Sequence, residues 1–289
     1  MSTAPQIFEI VLMNLKSIPQ RLGASLVIVI GIAGVVGVLV AMLSMSTGLN
    51  KTLTATGDPN RAIILRGGSN GELASFLDRS SSTLIKQDPA IARHPDGLPF
   101  ASGELIVITE VPRKGQSSGA NVSLRGVEPK GFDIRPELKI LEGRKFKPGL
   151  RELMVGAGAY SQFDGLQVGS KLKFRGSYWD VVGVFETKDA HDSELWADLD
   201  TVQSAFGRTG MSSVVVRLNY SKAFDDLKRR LTADPQLTVD VKTEQDYFSS
   251  QSSGLTSQIG FLTNIVAYIM AFGALFGALN TMYSAVSAR

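Results

Sequence analysis

Two long apolar stretches near the ends of the chain enclose a middle region in which apolar and polar residues alternate in short runs. The first stretch, residues 22–50, contains no charged residue, and its densest part spans residues 26–43. The second stretch runs without a charge from residue 247 to residue 288 and centres on residues 259–279. A helix of about 20 apolar residues crosses the hydrocarbon core of a bilayer. The pattern therefore predicts membrane-spanning helices at residues 22–46 and 255–280.

Each apolar stretch has an alternative interpretation. A cleaved signal peptide has an apolar region of about 7–15 residues followed by a small-residue cleavage pattern. The first stretch is longer than that, and Ser44-Met45-Ser46 matches the cleavage pattern poorly. The second stretch resembles a buried core helix of a large domain, but its length and lack of charge disfavour that interpretation. We therefore expect an uncleaved anchor and a second span.

Small residues recur at four-residue spacing in both predicted spans. Ala33, Gly37 and Ala41 share one face of the first helix, and Gly273 and Gly277 form a G-x-x-x-G pattern in the second. Small residues allow membrane helices to approach closely, which is what drives their association in lipid. The pattern predicts helix–helix packing on these faces, although glycine and alanine are also simply common in membrane helices.

The segment before the first span, residues 1–21, has apolar residues at helical spacing between Pro5 and Pro19. This pattern predicts a short amphipathic helix that lies in the membrane interface. An extension of the first span is the alternative, but proline interrupts helices. Pro19 therefore separates the two segments.

The middle region, residues 47–250, carries short strand-like runs and helical patterns in mixed order. Strands are predicted at residues 62–65, 105–109, 121–124 and 152–155, and a hairpin at residues 171–185. The serines at residues 80–82 are placed to cap a helix that runs to about Gln87, and Asp198 is placed to cap a helix that ends near Phe206. A β-α-β unit is predicted over residues 213–242. We expect an α+β domain of two lobes, inserted between the two membrane helices, with the first strand and the β-α-β unit in one lobe and the central strands in the other.

Charge is confined to this domain. The chain has 30 Lys and Arg and 27 Asp and Glu, and only Glu9, Lys16, Arg21 and Arg289 lie outside residues 47–246. The domain is therefore close to neutral and has no basic stripe of the kind that binds a phosphate backbone. The composition argues against nucleic-acid binding. Two spans put both termini on one side of the membrane, and the flanking charges only weakly favour the cytoplasmic side.

Catalytic patterns are missing from the sequence. It has no cysteine, no P-loop and no G-x-S-x-G pattern, so it offers no thiolate chemistry, no phosphate cradle of that type and no nucleophile elbow. His191 lies among the aspartates and glutamates of residues 189–200, which could in principle hold a divalent cation. Because the spacing fits no known metal motif, we expect a solvated acidic loop. We predict no enzyme activity, no cofactor and no metal.

Three stretches resemble the FtsX/MacB-type permease family of ABC transporters. Residues 123–149 contain a Gly-Val turn and then Glu142-Gly143-Arg144, and residues 152–185 contain ELMVGAGAYSQF, GLQVGSKLKFRG and WDVVGVF in the order of the family. Residues 279–289, LNTMYSAVSAR, resemble the end of the family's second span and the start of its coupling segment. Gly143, Arg144 and residues 182–184 are expected to be structural.

The resemblance implies a permease subunit in the bacterial inner membrane, with the domain outside the cytoplasm. It further implies a dimer of two permease copies, a separate cytoplasmic ATPase subunit and a periplasmic adaptor protein as a further partner, with lipid around the spans. ATP hydrolysis on the ATPase would move the outer domain, which exports or extracts a substrate. Residues 281–289 would be the start of a cytoplasmic coupling segment, and residues 280–289 would begin the contact with the ATPase. The resemblance assigns this coupling to Asn280, Thr281, Met282, Ser287 and Arg289.

Members of this family usually have four spans, with the last two after the coupling segment, whereas this sequence stops at Arg289. We therefore expect a truncated product, a fragment, or a half that is completed by a partner chain. The alternative function is a two-span sensor or adaptor whose outer domain binds a ligand or an envelope protein.

Overall fold

The computed structural model describes residue 8, residues 22–116, residues 118–220 and residues 222–287. The predicted interfacial helix, residues 1–21, falls outside these residues except for Phe8. The chain divides into two compact units. One unit contains the apolar segments, residues 1–49 and 254–289, and the other contains residues 50–253.

The helices and strands follow a mixed order along the chain. The helices are α1 (Leu22–Ala55), α2 (Arg79–Lys86), α3 (Gly131–Ile134), α4 (Ala157–Gln162), α5 (Leu199–Phe206), α6 (Ala223–Ala233) and α7 (Glu244–Ser287). The strands are β1 (Arg61–Arg66), β2 (Ala101–Pro112), β3 (Gly119–Val127), β4 (Lys139–Gly143), β5 (Glu152–Gly156), β6 (Lys171–Phe174), β7 (Ser177–Glu186), β8 (Glu194–Asp198), β9 (Ser213–Arg217) and β10 (Val239–Thr243). Two short 3₁₀ turns cover Glu72–Ala74 and Ala190–Ser193.

Helices α1 and α7 contain the apolar segments. Val29–Gly48 and Gly260–Gly277 are long and apolar enough to cross a membrane. Each helix is longer than its apolar segment, and α7 begins at Glu244, well before the apolar part. Helix α7 therefore runs from the end of β10 through the second apolar segment without a break.

The ten strands form one sheet in the order β10-β1-β9-β2-β3-β8-β5-β7-β4, and β6 pairs with β7. The α+β class is confirmed. Strand β1 lies between β9 and β10 and pairs antiparallel with both. The predicted β-α-β unit therefore exists in a split form, with β1 inserted between its two parallel strands. The predicted hairpin is β6–β7, with Phe174 opposite Ser177.

The two faces of the sheet have different coverings. Because side chains alternate along a strand, neighbouring residues contribute to opposite faces. Helices α2 and α6 cover β1, β9 and β10 on the first face, and α4 and α5 cover the central strands there. These two apolar clusters are the cores of the two predicted lobes, which share a continuous sheet. The second face is covered by α3 and the first turns of α7.

Three details differ from the sequence prediction. Strands β4 and β8 were not predicted, because both are rich in charged residues. Helix α2 is capped by Asp78, which accepts a hydrogen bond from the Ser81 amide, rather than by the serines that follow. Asp198 caps α5 as predicted, and α5 ends at Phe206.

The Glu142-Gly143-Arg144 motif forms a tight junction between β4 and β7. Gly143 has φ +74°, and a Cβ at this position would lie 2.2 Å from the Val182 carbonyl oxygen. The Arg144 amide donates to that same oxygen over 2.9 Å, and its guanidinium forms a bidentate pair with Glu152. Only glycine combines this backbone angle with so close an approach. The geometry gives a physical reason for the motif's structural role.

Candidate functional site

A cluster of buried charges lies on the second face of the sheet, between its two apolar clusters. It comprises three arginines and four glutamates, which we call the charge cluster: Arg61, Glu72, Glu104, Arg125, Arg135, Glu194 and Glu244. These residues come from β1, β2, β3, β8, the first 3₁₀ turn, the end of α3 and the first position of α7. The cluster thus joins elements that are far apart in sequence.

Arg125 is at the centre of the charge cluster and is almost completely buried. Its guanidinium donates from Nη1 and Nη2 to Glu72 over 2.8 and 3.1 Å, and from Nε and Nη2 to Glu194 over 2.7 and 2.8 Å. Nη1 also donates to Glu104 over 2.7 Å. All five N–H donors of the guanidinium are therefore used. A buried charge is tolerated only when it is paired and hydrogen-bonded in this way.

Arg135 and Arg61 extend the cluster to the start of α7. Arg135 forms a bidentate pair with Glu104, with a shortest distance of 2.6 Å, and its Nη2 lies 3.5 Å from the Glu244 carboxylate. Arg61 Nε also contacts Glu244, and Arg61 Nη1 lies 2.7 Å from Glu137. Glu244 is the first residue of α7 and is 1% exposed. The first residue of the long helix is thus held by two buried arginines.

The protonation states of the cluster follow from these pairs. Burial alone raises the pKa of Glu104, but the Arg135 and Arg125 charges outweigh it and bring the pKa down to about 2. Burial likewise opposes ionisation of Glu194, and Arg125 again lowers the pKa of the carboxyl below its ordinary value. Burial lowers the pKa of Arg125, but Glu194 and Glu72 raise it well above the usual range. These groups are therefore charged at neutral pH.

The first turns of α7 make further contacts with the domain. The Tyr247 hydroxyl accepts a hydrogen bond from the Glu72 amide over 3.1 Å. The Gln251 side-chain amide donates to the Asn70 carbonyl over 2.8 Å. Tyr247 and Phe248 pack with Ile63, Leu65 and other apolar residues of the second face. The start of α7 is therefore part of the domain's core.

The second 3₁₀ turn corrects the prediction for residues 189–200. His191 is 1% exposed, and residues 194–198 form the buried strand β8, so this region is not a solvated loop. Three of its carboxylates have partners inside the protein: Glu194 pairs with Arg125, Asp198 caps α5, and Asp189 lies 2.9 Å from His191 Nδ1. Within the part of the chain that the structure describes, no three histidine or acidic side chains are grouped so as to hold a metal ion.

The predicted packing residues lie on the two long helices. Ala33, Gly37 and Ala41 are exposed in α1, and Gly273 and Gly277 are exposed in α7. A Cβ built at Gly37, Gly273 or Gly277 would meet no atom within 4 Å. These faces therefore have room for another helix, and their packing remains a prediction.

The predicted coupling residues lie at the end of α7. Asn280, Thr281, Met282 and Ser287 are helical, the Met282 side chain is exposed, and Arg289 falls outside the described residues. Their role remains a prediction. The charge cluster brings together none of the predicted site residues. A signal for it does exist in the sequence, because Glu104 and Arg125 are single charges within apolar, strand-like runs.

The fold and the two apolar helices define a class of protein: an α+β domain whose chain enters and leaves through helices suited to a membrane. Comparison with known families gives the particular one. Residues 24–234 match the model of the MacB-like periplasmic core domain. The chain belongs to this family, and thereby to the MacB/FtsX-type permeases of ABC transporters.

Solved structures of similar chains include three bacterial proteins. The extracellular domain of the noncanonical ABC-type transporter YknZ from Gram-positive bacteria is 14% identical, with a TM-score of 0.47 over 64% of this chain and 100% of that one. The periplasmic region of MacB from Actinobacillus actinomycetemcomitans is 17% identical, with a TM-score of 0.46 over 70% of this chain and 92% of that one. A domain of a putative permease from Porphyromonas gingivalis is 11% identical, with a TM-score of 0.34 over 63% of this chain and 84% of that one.

All three TM-scores are below 0.5, so the family assignment rests on the family-model match. No curated protein matches the sequence. Family membership defines a membrane-anchored protein with an extracytoplasmic domain and a permease-type role in an ABC transporter context, which includes an ATPase partner.

Proposed function

We propose that this chain is the permease subunit of an ABC transporter that couples ATP hydrolysis on a separate ATPase to movement of its extracytoplasmic domain, for export or extraction of a substrate. The observation that carries the proposal is the position of Glu244. This residue starts α7 and is also a buried member of the charge cluster, so one helix contains both an apolar segment and a fixed point in the domain core.

The charge cluster suits this role because it resists local opening. Separating Glu244 from its arginines would leave buried charges without partners, which costs several kcal/mol. Tyr247 and Gln251 add two hydrogen bonds to the same anchorage. A displacement of α7 would therefore move the sheet with the helix instead of unwinding the first turns.

The remaining parts of the proposal follow from family membership and the sequence. In this proposal, residues 22–46 and 255–280 span the inner membrane and both termini lie in the cytoplasm. Residues 47–250 form the extracytoplasmic domain. Two copies would associate through the small-residue faces around Gly37 and Gly277, where a helix can approach closely. Asn280–Arg289 would begin the contact with the ATPase. A periplasmic adaptor is a further possible partner.

The test is capture of an ATPase from the native membrane. The tagged chain is solubilised in mild detergent and purified together with its partners, and ATPase activity and composition are measured. We expect an ABC ATPase to be captured by the unchanged chain and lost when residues 280–289 are replaced by a neutral helical sequence. Lys171→Ala, at an exposed position of the domain, is the matched control and should retain the ATPase.

Capture of envelope proteins without any ATPase would overturn the proposal and favour the two-span sensor or adaptor. Equal capture by the unchanged chain and the 280–289 replacement would refute the role of the coupling segment.

A further inference from the structure

The second 3₁₀ turn, Ala190–Ser193 with its cap Asp189, contacts the residue that follows α1 and the second turn of α7, all within the unit formed by residues 50–253. The Ala190 amide donates to the Thr56 hydroxyl over 3.0 Å, and Thr56 is the first residue after α1. The His191 ring packs nearly perpendicular to the ring of Phe248, in the second turn of α7, with ring centroids 5.4 Å apart. We call residues 189–193 the root turn.

His191 is held in the root turn by a dense local network. Asp189 Oδ1 accepts from the His191 amide over 2.9 Å and lies 2.9 Å from its Nδ1. The Thr187 hydroxyl donates to the same oxygen over 2.6 Å. The imidazole is also perpendicular to the Trp196 ring, with 5.8 Å between centroids. The ring therefore has a fixed orientation between the sheet and α7.

The other ring nitrogen of His191, Nε2, takes no part in this hydrogen-bond network. Nε2 is buried and has no hydrogen-bond partner among the described residues. A protonated ring would leave the Nε2–H without an acceptor, which costs free energy in a buried site. A neutral ring would remove a positive charge from a neighbourhood with more glutamates than arginines. Neither protonation state therefore satisfies every polar group of the site, and the charges around the ring decide which state is favoured.

The charged groups around His191 come from several elements. Asp189 lies in its own turn, Glu194 is on β8, and Glu104 is on β2; all three carboxylates favour the charged ring. Arg135, after α3, opposes it. Helix α4, which packs on the turn, has no charged residue. From α7 the ring meets Phe248, and Glu244 of the same helix lies 3.5 Å from Arg135.

We infer that the packing of the root turn against the start of α7 depends on a proton: protonated His191 stabilises this packing, and loss of the proton weakens it. Proton access is available, since Lys188 and Asp189 line a cleft together with Asp58 and Glu137. An extracytoplasmic domain is exposed to the pH of its surroundings, so the packing of the root turn would weaken when the external pH rises. The inference does not depend on the proposed transport function.

The sign of the effect follows from linkage. Burial lowers the pKa of His191, but Asp189 and Glu194 outweigh it and raise the pKa above the ordinary value of 6.5. The closed turn therefore binds the proton more tightly than the open turn. Closure is fully favoured below pH 6.5 and weakens as the pH rises through the raised pKa. Each unit of difference between the closed and open pKa corresponds to about a tenfold change in the opening equilibrium.

The chain is well suited to a direct test because it contains only two histidines. The full chain with His94→Gln, in detergent micelles, has a single imidazole whose ¹³Cε1 resonance reports the titration of His191. Hydrogen exchange of residues 244–253 is measured over the same pH range as protection factors, which removes the intrinsic pH dependence of exchange. We expect the His191 resonance to titrate with a midpoint above pH 6.5. Between pH 6.5 and that midpoint the protection factors should fall, by about tenfold for each pH unit by which the midpoint exceeds 6.5.

Asp189→Asn distinguishes the proton-dependent packing of the root turn from a general loss of stability. It removes the charge that favours protonation of His191 but keeps a hydrogen-bonding side chain. Its midpoint should fall toward 6.5, and its pH-dependent loss of protection should shrink in proportion. A wild-type midpoint at or below 6.5 would overturn the inference. So would protection of residues 244–253 that does not change through the midpoint.

Discussion

Replacing Arg125 by methionine removes the centre of the charge cluster while keeping a side chain of similar length. Glu72, Glu104 and Glu194 would then face one another without the guanidinium, which donates five hydrogen bonds to them. Breaking a buried ion pair from one side typically costs about 3–5 kcal/mol, because a buried charge is left unpaired. We expect Arg125→Met to lower the free energy of unfolding by about that amount. For a domain of this size the melting temperature should fall by about 6–20 °C.

Tryptophan fluorescence can follow this change in the domain alone. The chain has two tryptophans, Trp179 and Trp196, and both are fully buried in the unit formed by residues 50–253. Urea unfolding of the full chain in detergent therefore reports domain stability. The control is Arg229→Met, whose guanidinium pairs with Asp226 at the surface and is 73% exposed. Exposed pairs contribute at most about 1 kcal/mol.

The destabilisation by Arg125→Met should also shrink as the pH falls below 4.5, because protonation of Glu104 and Glu194 removes their repulsion. Equal, small shifts for Arg125→Met and Arg229→Met would refute the structural role that we give to the charge cluster.

Three further predictions concern acid stability, the β4–β7 junction and helix association. The pKa of Glu104 is lowered from 4.5 to about 2, so the contribution of its ionised form to stability is present above pH 4.5 and is lost as the pH falls toward 2. The urea midpoint of the wild type should therefore drop more steeply over this pH range than that of Glu104→Gln. Gly143→Ala should destabilise the domain by at least about 1 kcal/mol more than Gly149→Ala in the same unfolding assay, because both glycines have positive φ but only a Cβ at position 143 meets the Val182 carbonyl. Equal losses would show that strain, not the close contact, decides the cost. Gly277→Leu should reduce cross-linked dimer in membranes while Gly260→Leu does not, since only Gly277 belongs to the small-residue face; unchanged dimer with Gly277→Leu would show that this face contacts lipid.

The sequence predicts those parts of the fold that depend on local pattern. The apolar segments of α1 and α7, the β6–β7 hairpin and the Asp198-capped helix α5 each have a period, a turn or a cap within a few residues. Strand β8 was missed because Glu194 and Asp198 suggest exposure. Its charges are buried only because Arg125 and the amides at the start of α5 satisfy them.

The charge cluster could not be assembled from the sequence for the same reason. Arg61 and Glu244 are 183 residues apart, and Arg125 and Glu72 are 53 apart, so their pairing depends on the order of strands in the sheet. What local pattern does show is a lone charge within an apolar strand, as at Glu104 and Arg125. Such a residue must find a buried partner, but the pattern does not say which one.

Whether ATP hydrolysis on a partner moves the extracytoplasmic domain through α7 is tested most directly by a distance measurement between two copies of the chain. The chain has no cysteine, so Lys171→Cys introduces a single spin-label site at an exposed position of the domain. The labelled permease is reconstituted with the captured ATPase, and the distance between labels is measured by pulsed electron paramagnetic resonance without nucleotide and with ATP trapped by vanadate. We expect the distance distribution to shift on ATP trapping, and the shift to be reduced when Arg125→Met weakens the charge cluster. The same distribution in both states, with an active ATPase bound, would contradict the account.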